Sequence, residues 1–143
     1  MEFKKIDDTL SVAGQLTLED LTRARDLGFK TIINVRPDGE AEGAMTAAEA
    51  HAALSDEPLA YHHLPVLPTE ITDADVSAFQ ALMNAVEGPI LAHCGTGMRA
   101  SVLWALANAG TLSTEDILHK AAAAGYDLNK VAPRIEASAN GRM

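Results

Sequence analysis

The string PILAHCGTGMR at positions 89–99 restricts the fold of this chain more than any other part of it. Its first five residues form a short apolar run that predicts a buried β-strand. Cys94 and two glycines then indicate a tight turn, and an apolar pattern predicts a helix from Arg99 to Ala109 that ends at Gly110. A strand that runs through a glycine-rich turn into a helix is typical of α/β folds, where ligands bind beyond the carboxyl ends of the strands.

The rest of the chain alternates strand-like and helical patterns in the same way. The β-branched run at 31–35 is typical of a strand that is buried on both faces. The expected fold class is therefore α/β, with a central, mostly parallel sheet of four or five strands flanked by helices, in a single domain over residues 1–143. The predicted strands are two short ones between 3 and 12, and others at 31–35, 59–66 and 89–93. Helices are predicted at 18–27, 46–54, 99–109 and 113–125, and a further helix is capped by Thr72 or Asp73 and ends before Gly88. A last helical segment near 131–137 is expected to be broken or kinked at Pro133 and to be followed by a loose tail.

Charge and hydropathy argue against several classes of partner. The net charge of −9 disfavours nucleic acid and anionic membranes, because both select basic surfaces. No run approaches the roughly 18 apolar residues of a membrane span, and the first five residues lack the hydrophobic core of a targeting segment. One cysteine cannot form an internal disulfide, which suits a reducing compartment. We therefore expect a cytoplasmic protein in which any anion site is built locally.

Cys94 is the predicted nucleophile of such a site. A thiol attacks as the thiolate, which is stabilised by a helix N-terminus, by an arginine and by converging N–H donors. Arg99 would enter the first turn of the helix with its planar guanidinium directed at two oxygens of a bound oxyanion. A cysteine after a strand is often only a small buried residue, but strand, cysteine, glycines, arginine and helix in one string favour the functional interpretation. The predicted anion-binding loop consists of Gly95, Thr96, Gly97 and Met98.

Three further residues are candidates for supporting this loop. His93 precedes the nucleophile and is either part of a network that stabilises the thiolate or structural. Arg36 ends a predicted strand at the same edge of the sheet, and a salt bridge to Glu40 or Asp38 is its expected role. Ser101 follows the loop on the predicted helix.

Two adjacent histidines give no metal site. His62 and His63 lie next to each other on a predicted strand and therefore face opposite sides of the sheet. No carboxylate stands at ligand spacing from them, so we predict neither a metal nor a cofactor.

The string from His93 to Arg99 resembles the signature loop of cysteine-dependent phosphatases and, in length, that of rhodanese-type sulfurtransferases. Four segments in combination resemble the phosphatase-like domain of beta-lactamase hydrolase-like proteins, over about residues 3 to 110. This resemblance implies a fold similar to that of dual-specificity phosphatases. The four segments are LSVAGQ (10–15), TIINVRP (31–37), YHHLPV (61–66) and PILAHC (89–94).

The same resemblance implies sulfur chemistry. Members of the family are often described as sulfurtransferases, and some are fused to a metallo-hydrolase domain that oxidises persulfides. By this resemblance, Cys94 would carry a persulfide taken from a small anionic sulfur donor. A persulfide dioxygenase partner would then be a separate protein.

The loop length bears on this choice. Phosphatases of this class have five residues between cysteine and arginine and then serine or threonine, whereas four separate Cys94 from Arg99 here and Ala100 precedes Ser101. Rhodanese-type loops have the shorter length, although Gly95 stands where they commonly have arginine. A terminal persulfide is smaller than a phosphoryl group and needs fewer converging donors, so a tighter loop favours sulfur transfer as the first hypothesis.

Two alternatives stay open. In a phosphatase of the tyrosine or dual-specificity kind, Cys94 would form a cysteinyl phosphate and an acid would protonate the leaving oxygen. Glu70 and Asp73 are the candidates for that acid, although Glu70 could be a solvated loop carboxylate and Asp73 a helix cap. In the other alternative the loop only binds an anion or a partner protein and does not catalyse a reaction.

Overall fold

The computed structural model describes residues 2–141 of the chain. It contains a five-stranded sheet and six α-helices, with a 3-10 helix at Asn129–Val131. The strands are β1 (Lys4–Lys5), β2 (Leu10–Ala13), β3 (Thr31–Asn34), β4 (Ala60–His63) and β5 (Ile90–His93). The α-helices are α1 (Leu18–Asp26), α2 (Ala47–Ala53), α3 (Asp73–Ala85), α4 (Met98–Ala107), α5 (Thr114–Ala123) and α6 (Ala132–Gly141).

The strands of the sheet follow the order β1-β2-β5-β3-β4, and only β1 is antiparallel to its neighbour. The predicted α/β class with a mostly parallel sheet is therefore confirmed. The pairing aligns the last residues of the four parallel strands in one row, Ala13, His93, Asn34 and His63. The segments that follow these strands meet at one edge of the sheet, which is the edge where the predicted loop lies.

Both faces of the sheet are covered by helices. Successive residues of a strand point to opposite faces, so neighbouring residues belong to different apolar clusters. Ile33 packs in an apolar cluster with residues of α3 to α6, whereas the preceding Ile32 packs with residues of α1 and α2. In β5, Ile90 and Ala92 face the first cluster and Leu91 faces the second. This division determines which side of the sheet each residue of the predicted site can reach.

Side-chain caps begin four of the helices. Thr17 and Thr46 form reciprocal capping boxes with the third residue of α1 and α2, and Ser113 accepts the amide of Asp116 at the start of α5. The cap of α3 is Thr72, and Asp73 is the first helical residue. The alternative that Asp73 is the cap is therefore wrong.

Two other predicted boundaries differ from the structure. The strand expected at 59–66 is limited to β4. The amides of Leu64 and Val66 still donate to the carbonyls of Asn34 at 2.8 Å and Val35 at 2.9 Å, but the second bond departs from the parallel register of β3 and β4. Helix α6 runs without interruption to Gly141, with Pro133 in its first turn, where a missing N–H removes no helical hydrogen bond. The predicted break at Pro133 and the loose tail, as far as residue 141, are therefore wrong.

The helices between residues 2 and 141 are too short to cross a membrane. The longest, α3, has 13 residues, and no helix in this range combines the length and the apolar character of a span.

Asp7 joins the N-terminal turn to the helix that follows the site. Its Oδ1 accepts the amides of Thr9 and Leu10, each at 2.8 Å, in the turn between β1 and β2. Its Oδ2 accepts the indole N–H of Trp104 at 2.8 Å, and Trp104 is fully buried on α4. One carboxylate therefore satisfies two turn amides and the polar atom of the largest buried side chain.

We predict that Asp7→Ala destabilises the fold by about 3 kcal/mol, or about 1 kcal/mol for each of the three hydrogen bonds lost. Asp8→Ala is the matched control, because Asp8 is fully exposed and its 3.7 Å ion pair with Lys5 is screened by water, so its loss should leave the stability close to that of the wild type. Urea unfolding of both variants measures the difference. Equal losses would show that Asp7 does not join the two elements.

Candidate active site

Cys94 lies directly after β5 and before the N-terminus of α4. Its amide donates to the carbonyl of Ala13 at 3.3 Å, which ties the start of the loop to β2. The amide of Gly97 donates to Cys94 Sγ at 3.1 Å. The side chain is 1% exposed, so the sulfur is reached only through the cavity that it lines.

The two glycines of the loop have different reasons to be glycine. Gly97 has a φ of +93°, and a Cβ there would overlap the hydroxyl of Tyr126. A Cβ on Gly95 would lie 3.5 Å from Cζ of Arg36, which is an ordinary contact. Position 97 therefore excludes a side chain for both conformational and steric reasons, whereas position 95 does not.

The other loop groups hold the loop together. The amide of Met98 donates to Oγ1 of Thr96 at 3.3 Å, so it is not directed at the sulfur. Ser101 donates its hydroxyl to the carbonyl of Gly97 at 2.8 Å, inside the core. The loop amides were predicted to point toward a common anion site, and the amide of Gly97 is the one that donates a hydrogen bond to Cys94 Sγ.

Arg99 lies in the first turn of α4, as predicted, and its guanidinium group is paired with a carboxylate. Nη2 donates to Oε1 of Glu40 at 2.8 Å, and Nη1 donates to Oε2 at 3.2 Å. Nη1 also donates to the carbonyl of Val66 at 3.0 Å. The side chain of Arg99 is 10% exposed, so this pairing holds a nearly buried cation beside the loop.

Arg36 shares the same carboxylate. Its Nε donates to Glu40 at 2.9 Å, which confirms one of the two expected ion pairs, and its Nη1 donates to Oε1 of Gln15 at 2.9 Å. The hydrogen bond from Arg99 is the main cause that holds the pKa of Glu40 below its usual value, and the bond from Arg36 adds to it. Glu40 is therefore an ionised counter-ion at neutral pH.

These groups surround a cavity of about 420 Å³. Two guanidinium groups and one carboxylate lie in its wall, so the local balance favours an anion although the whole chain carries −9. One side of the cavity is apolar. The lining residues are Arg36, Glu40, Pro68, Ile71, Cys94, Gly95, Thr96, Met98, Arg99 and Val102.

Three comparisons with known proteins identify the family and the fold of this chain. The sequence model of the family "Beta-lactamase hydrolase-like protein, phosphatase-like domain" matches residues 2–111. The chain belongs to this family. A beta-lactamase hydrolase-like protein of Agrobacterium fabrum is 38% identical over 130 residues, which are 90% of this chain and 30% of that protein. The chain spans about a third of the length of the curated relatives that it matches.

Solved structures of phosphatases share the fold. A crystal structure of a putative phosphatase from Neisseria meningitidis matches with a TM-score of 0.87 and 35% identity, over 96% of this chain and 99% of that one. P. aeruginosa TpbA, crystallised in complex with pTyr, matches with a TM-score of 0.67 and 17% identity, over 94% of this chain and 86% of that one. The predicted cysteine-phosphatase-like fold and the resemblance to this family are confirmed.

His93 in this phosphatase-like domain lies on the other side of the sheet from the apolar cluster that contains Cys94. Leu91 faces α1 and α2, and the alternation of β5 places His93 on that same side. The ring is fully buried and neither nitrogen makes a well-formed hydrogen bond. Burial lowers the pKa of His93 to about 4, and an interaction with the backbone of Cys94 offsets only part of this effect.

The two candidate acids lie at different places. Glu70 is exposed in the segment between β4 and α3, and its loop neighbours Pro68 and Ile71 line the cavity. Asp73 pairs with Arg134 at 3.2 Å and lines a separate depression between α3 and α6. The structure therefore brings the loop of Glu70, but not the side chain of Asp73, to the sulfur.

Sequence reasoning missed several groups around the cysteine. Gln15 and the carbonyl of Val66 follow parallel strands, so only the register of the sheet shows that they reach the arginines. Glu40 was expected only as a partner of Arg36, yet it also binds Arg99. Tyr126 lies 30 residues beyond Thr96, to which it donates, and no sequence pattern connects the two.

The buried ring of His93 predicts acid-sensitive folding. Its pKa is about 4 in the folded protein against 6.5 in a model peptide, so the unfolded chain binds the proton first as pH falls. Stability is therefore retained above about pH 6.5 and decreases as pH falls toward 4. Between pH 7 and 5 the loss from this residue is about 2 kcal/mol.

We expect His93→Asn to be less stable than the wild type at pH 7 but to lose about 2 kcal/mol less stability on going to pH 5. Urea unfolding at the two pH values measures this difference. His119→Asn, at an exposed position on α5, is the matched control and should keep the wild-type pH dependence. Parallel pH curves for wild type and His93→Asn would contradict the prediction.

Proposed function

We propose that this protein is a cysteine-dependent phosphatase that hydrolyses phosphate monoesters, with Cys94 as the nucleophile. The observation that carries the proposal is the position of Cys94 Sγ. Cys94 lines the cavity, its Sγ accepts the Gly97 amide at 3.1 Å, and it follows a strand at the ligand-binding edge of the sheet. A thiolate at a helix N-terminus beside two guanidinium groups suits attack on an anionic, electrophilic centre.

The proposed reaction has two steps. The thiolate of Cys94 attacks phosphorus, the bond to the ester oxygen breaks, and the leaving oxygen takes a proton from an acid. Water then attacks the cysteinyl phosphate, which releases inorganic phosphate and restores the thiolate. The Gly97 amide and Arg99 would stabilise the charge on the transferring group, because fixed donors in a buried site need no reorganisation.

The phosphatase neighbours support a phosphate ester as substrate. TpbA is solved in complex with pTyr, and the core catalytic domain of the PP-IP phosphatase SIW14 has the same fold, with a TM-score of 0.70. Both are below 25% identity to this chain and show only that the fold hosts such chemistry. The apolar side of the cavity, with Ile71 and Val102, would accommodate an apolar alcohol group of the ester.

Glu70 is the proposed acid, because its loop contributes Pro68 and Ile71 to the cavity wall. Glu40 lines the cavity itself, but its lowered pKa leaves it without a proton at neutral pH. Asp73 is paired with Arg134 outside the cavity. Movement of the 67–72 loop over a bound ester would bring Glu70 to the leaving oxygen.

We expect the wild type to hydrolyse an aryl phosphate and vanadate to inhibit it. Cys94→Ser should lower kcat by about 10³-fold or more, and Arg99→Lys by about 10²-fold, because lysine keeps the charge but loses the two-pronged contact. Arg134→Lys is the matched control, on a half-buried arginine outside the cavity, and should stay within about twofold of the wild type. Hydrolysis that persists in Cys94→Ser would overturn the proposal.

The role of Glu70 can be separated from binding. Glu70→Gln should lower kcat by about 10²-fold for phenyl phosphate, whose leaving group needs a proton, and by much less for p-nitrophenyl phosphate, whose leaving group is a weak base. Asp73→Asn should change neither value. Equal losses on the two esters would remove Glu70 as the acid.

Sulfur transfer is the second candidate, because Glu40, the carboxylate in the cavity wall, has a lowered pKa and the loop has four residues between Cys94 and Arg99. In that reaction Cys94 attacks the sulfane sulfur of a donor and releases the remaining anion. A second thiolate then takes the terminal sulfur of the persulfide, and no general acid is needed. A gain of about 32 daltons on Cys94 with a sulfane donor, together with no phosphate release from any ester, would favour this candidate over the phosphatase.

A further inference from the structure

Tyr126 contacts the back of the loop, on the side away from the cavity. It lies between α5 and the 3-10 helix, beyond the residues that the family model matches. Its hydroxyl donates to the carbonyl of Thr96 at 3.1 Å. The side chain is 8% exposed and packs in the same apolar cluster as Cys94.

The carbonyl that Tyr126 binds belongs to the same peptide unit as the N–H of Gly97. In a trans peptide the C=O and the N–H point in opposite directions. The Gly97 N–H donates to Cys94 Sγ at 3.1 Å while the Thr96 C=O accepts from Tyr126 at 3.1 Å. One rigid unit therefore connects the tyrosine hydroxyl to the sulfur, and a donor at its oxygen polarises the N–H at its other end.

Gly97 makes this contact sterically feasible. A Cβ at this position would overlap the Tyr126 hydroxyl and lie 2.8 Å from Cζ of the ring. On its other side the ring of Tyr126 meets the ammonium group of Lys4, 5.5 Å from the ring centroid. The tyrosine is thus held between the N-terminal strand and the loop, in the space that the glycine leaves free.

We propose that Tyr126 is a positioning residue that orients the Thr96–Gly97 peptide, so that the Gly97 N–H stabilises the thiolate of Cys94. Tyr126 is not among the residues that line the cavity. It acts through one peptide plane, and its effect therefore appears in the reactivity of the sulfur.

The electrostatics of Tyr126 agree with this arrangement. Burial is the main cause that raises the pKa of Tyr126, and the negative charge of Cys94 is the next largest. The two groups therefore influence each other, as expected when a single peptide unit lies between them.

This inference rests on the proposed role of Cys94 as a nucleophile, and it holds for phosphate and sulfur chemistry alike. Alkylation of Cys94 by iodoacetamide measures the thiolate directly and needs no substrate. If the protein does not hydrolyse phosphate esters, the alkylation rates still test the role of Tyr126. If the alkylation rates do not change in Tyr126→Phe, the hydrolysis result still tests the proposed function.

The experiment compares Tyr126→Phe with Tyr61→Phe. Both substitutions remove one hydroxyl from a buried ring, because Tyr61 is 6% exposed and its hydroxyl accepts from Nδ2 of Asn34 at 2.9 Å. Tyr61 lies with α1 and α2 on the other face of the sheet. It therefore controls for the loss of a buried hydrogen bond without a change in the loop.

We expect Tyr126→Phe to slow alkylation at pH 7 by about three- to tenfold, as for weakening one hydrogen bond to an ionised sulfur. At pH 10 to 11 the rates should converge with the wild type, because every thiol is then ionised. Tyr61→Phe should match the wild-type rate at both pH values. An unchanged pH profile for Tyr126→Phe, or a rate lowered equally at all pH values, would overturn the proposal.

A reciprocal measurement does not depend on the Tyr126→Phe variant. The Tyr126 hydroxyl can be titrated by ¹³C NMR of the labelled ring in the wild type and in Cys94→Ser. Removing the sulfur charge should lower the pKa of Tyr126, since that charge raises it. Identical titrations of Tyr126 in the two proteins would contradict the coupling.

Discussion

The hydrogen bond from the Gly97 amide to Cys94 Sγ is the contact on which the site depends, because it fixes the turn between β5 and α4. The turn is held on every side. The Cys94 amide binds β2, Ser101 binds the Gly97 carbonyl from inside the helix, and Tyr126 binds the Thr96 carbonyl from behind. These attachments hold the peptide units of the loop in place together, so the Gly97 N–H is already directed at Cys94 Sγ before a ligand binds.

The sheet register explains why the polar groups of the site meet. The four parallel strands end in one row, so Gln15, Arg36, Val66 and Cys94, which are far apart in the chain, follow strands that stop at the same level. The resulting cluster compensates its own charges. Glu40 binds two guanidinium groups that would otherwise repel each other, so that in a strongly acidic protein two positive charges in the cavity wall face the carboxylate of Glu40 and the thiolate proposed for Cys94.

Family membership and chemistry rest on different grounds. The family model, the relatives and the fold of the phosphatase neighbours place the chain in the phosphatase-like domain of beta-lactamase hydrolase-like proteins. The sequence-based preference for sulfur transfer came from loop length and the family's descriptions, and the comparisons support the phosphatase alternative better. Either reaction has to accommodate the short loop between Cys94 and Arg99. Either reaction also has to proceed beside an ionised Glu40, the carboxylate that lines the cavity among residues 2–141.

The sequence by itself determined the α/β class and the strand–turn–helix that carries Cys94 and Arg99, because both depend on neighbouring residues and on local periodicity. It misjudged α6, where Pro133 lies in the first turn, and it left open on which side of the sheet His93 points. Only the tertiary structure decided that Glu40 also binds Arg99 and that Tyr126 donates to the Thr96 carbonyl. These two contacts join residues 59 and 30 positions apart, and the packing of helices and the register of strands, not any local pattern, bring them together.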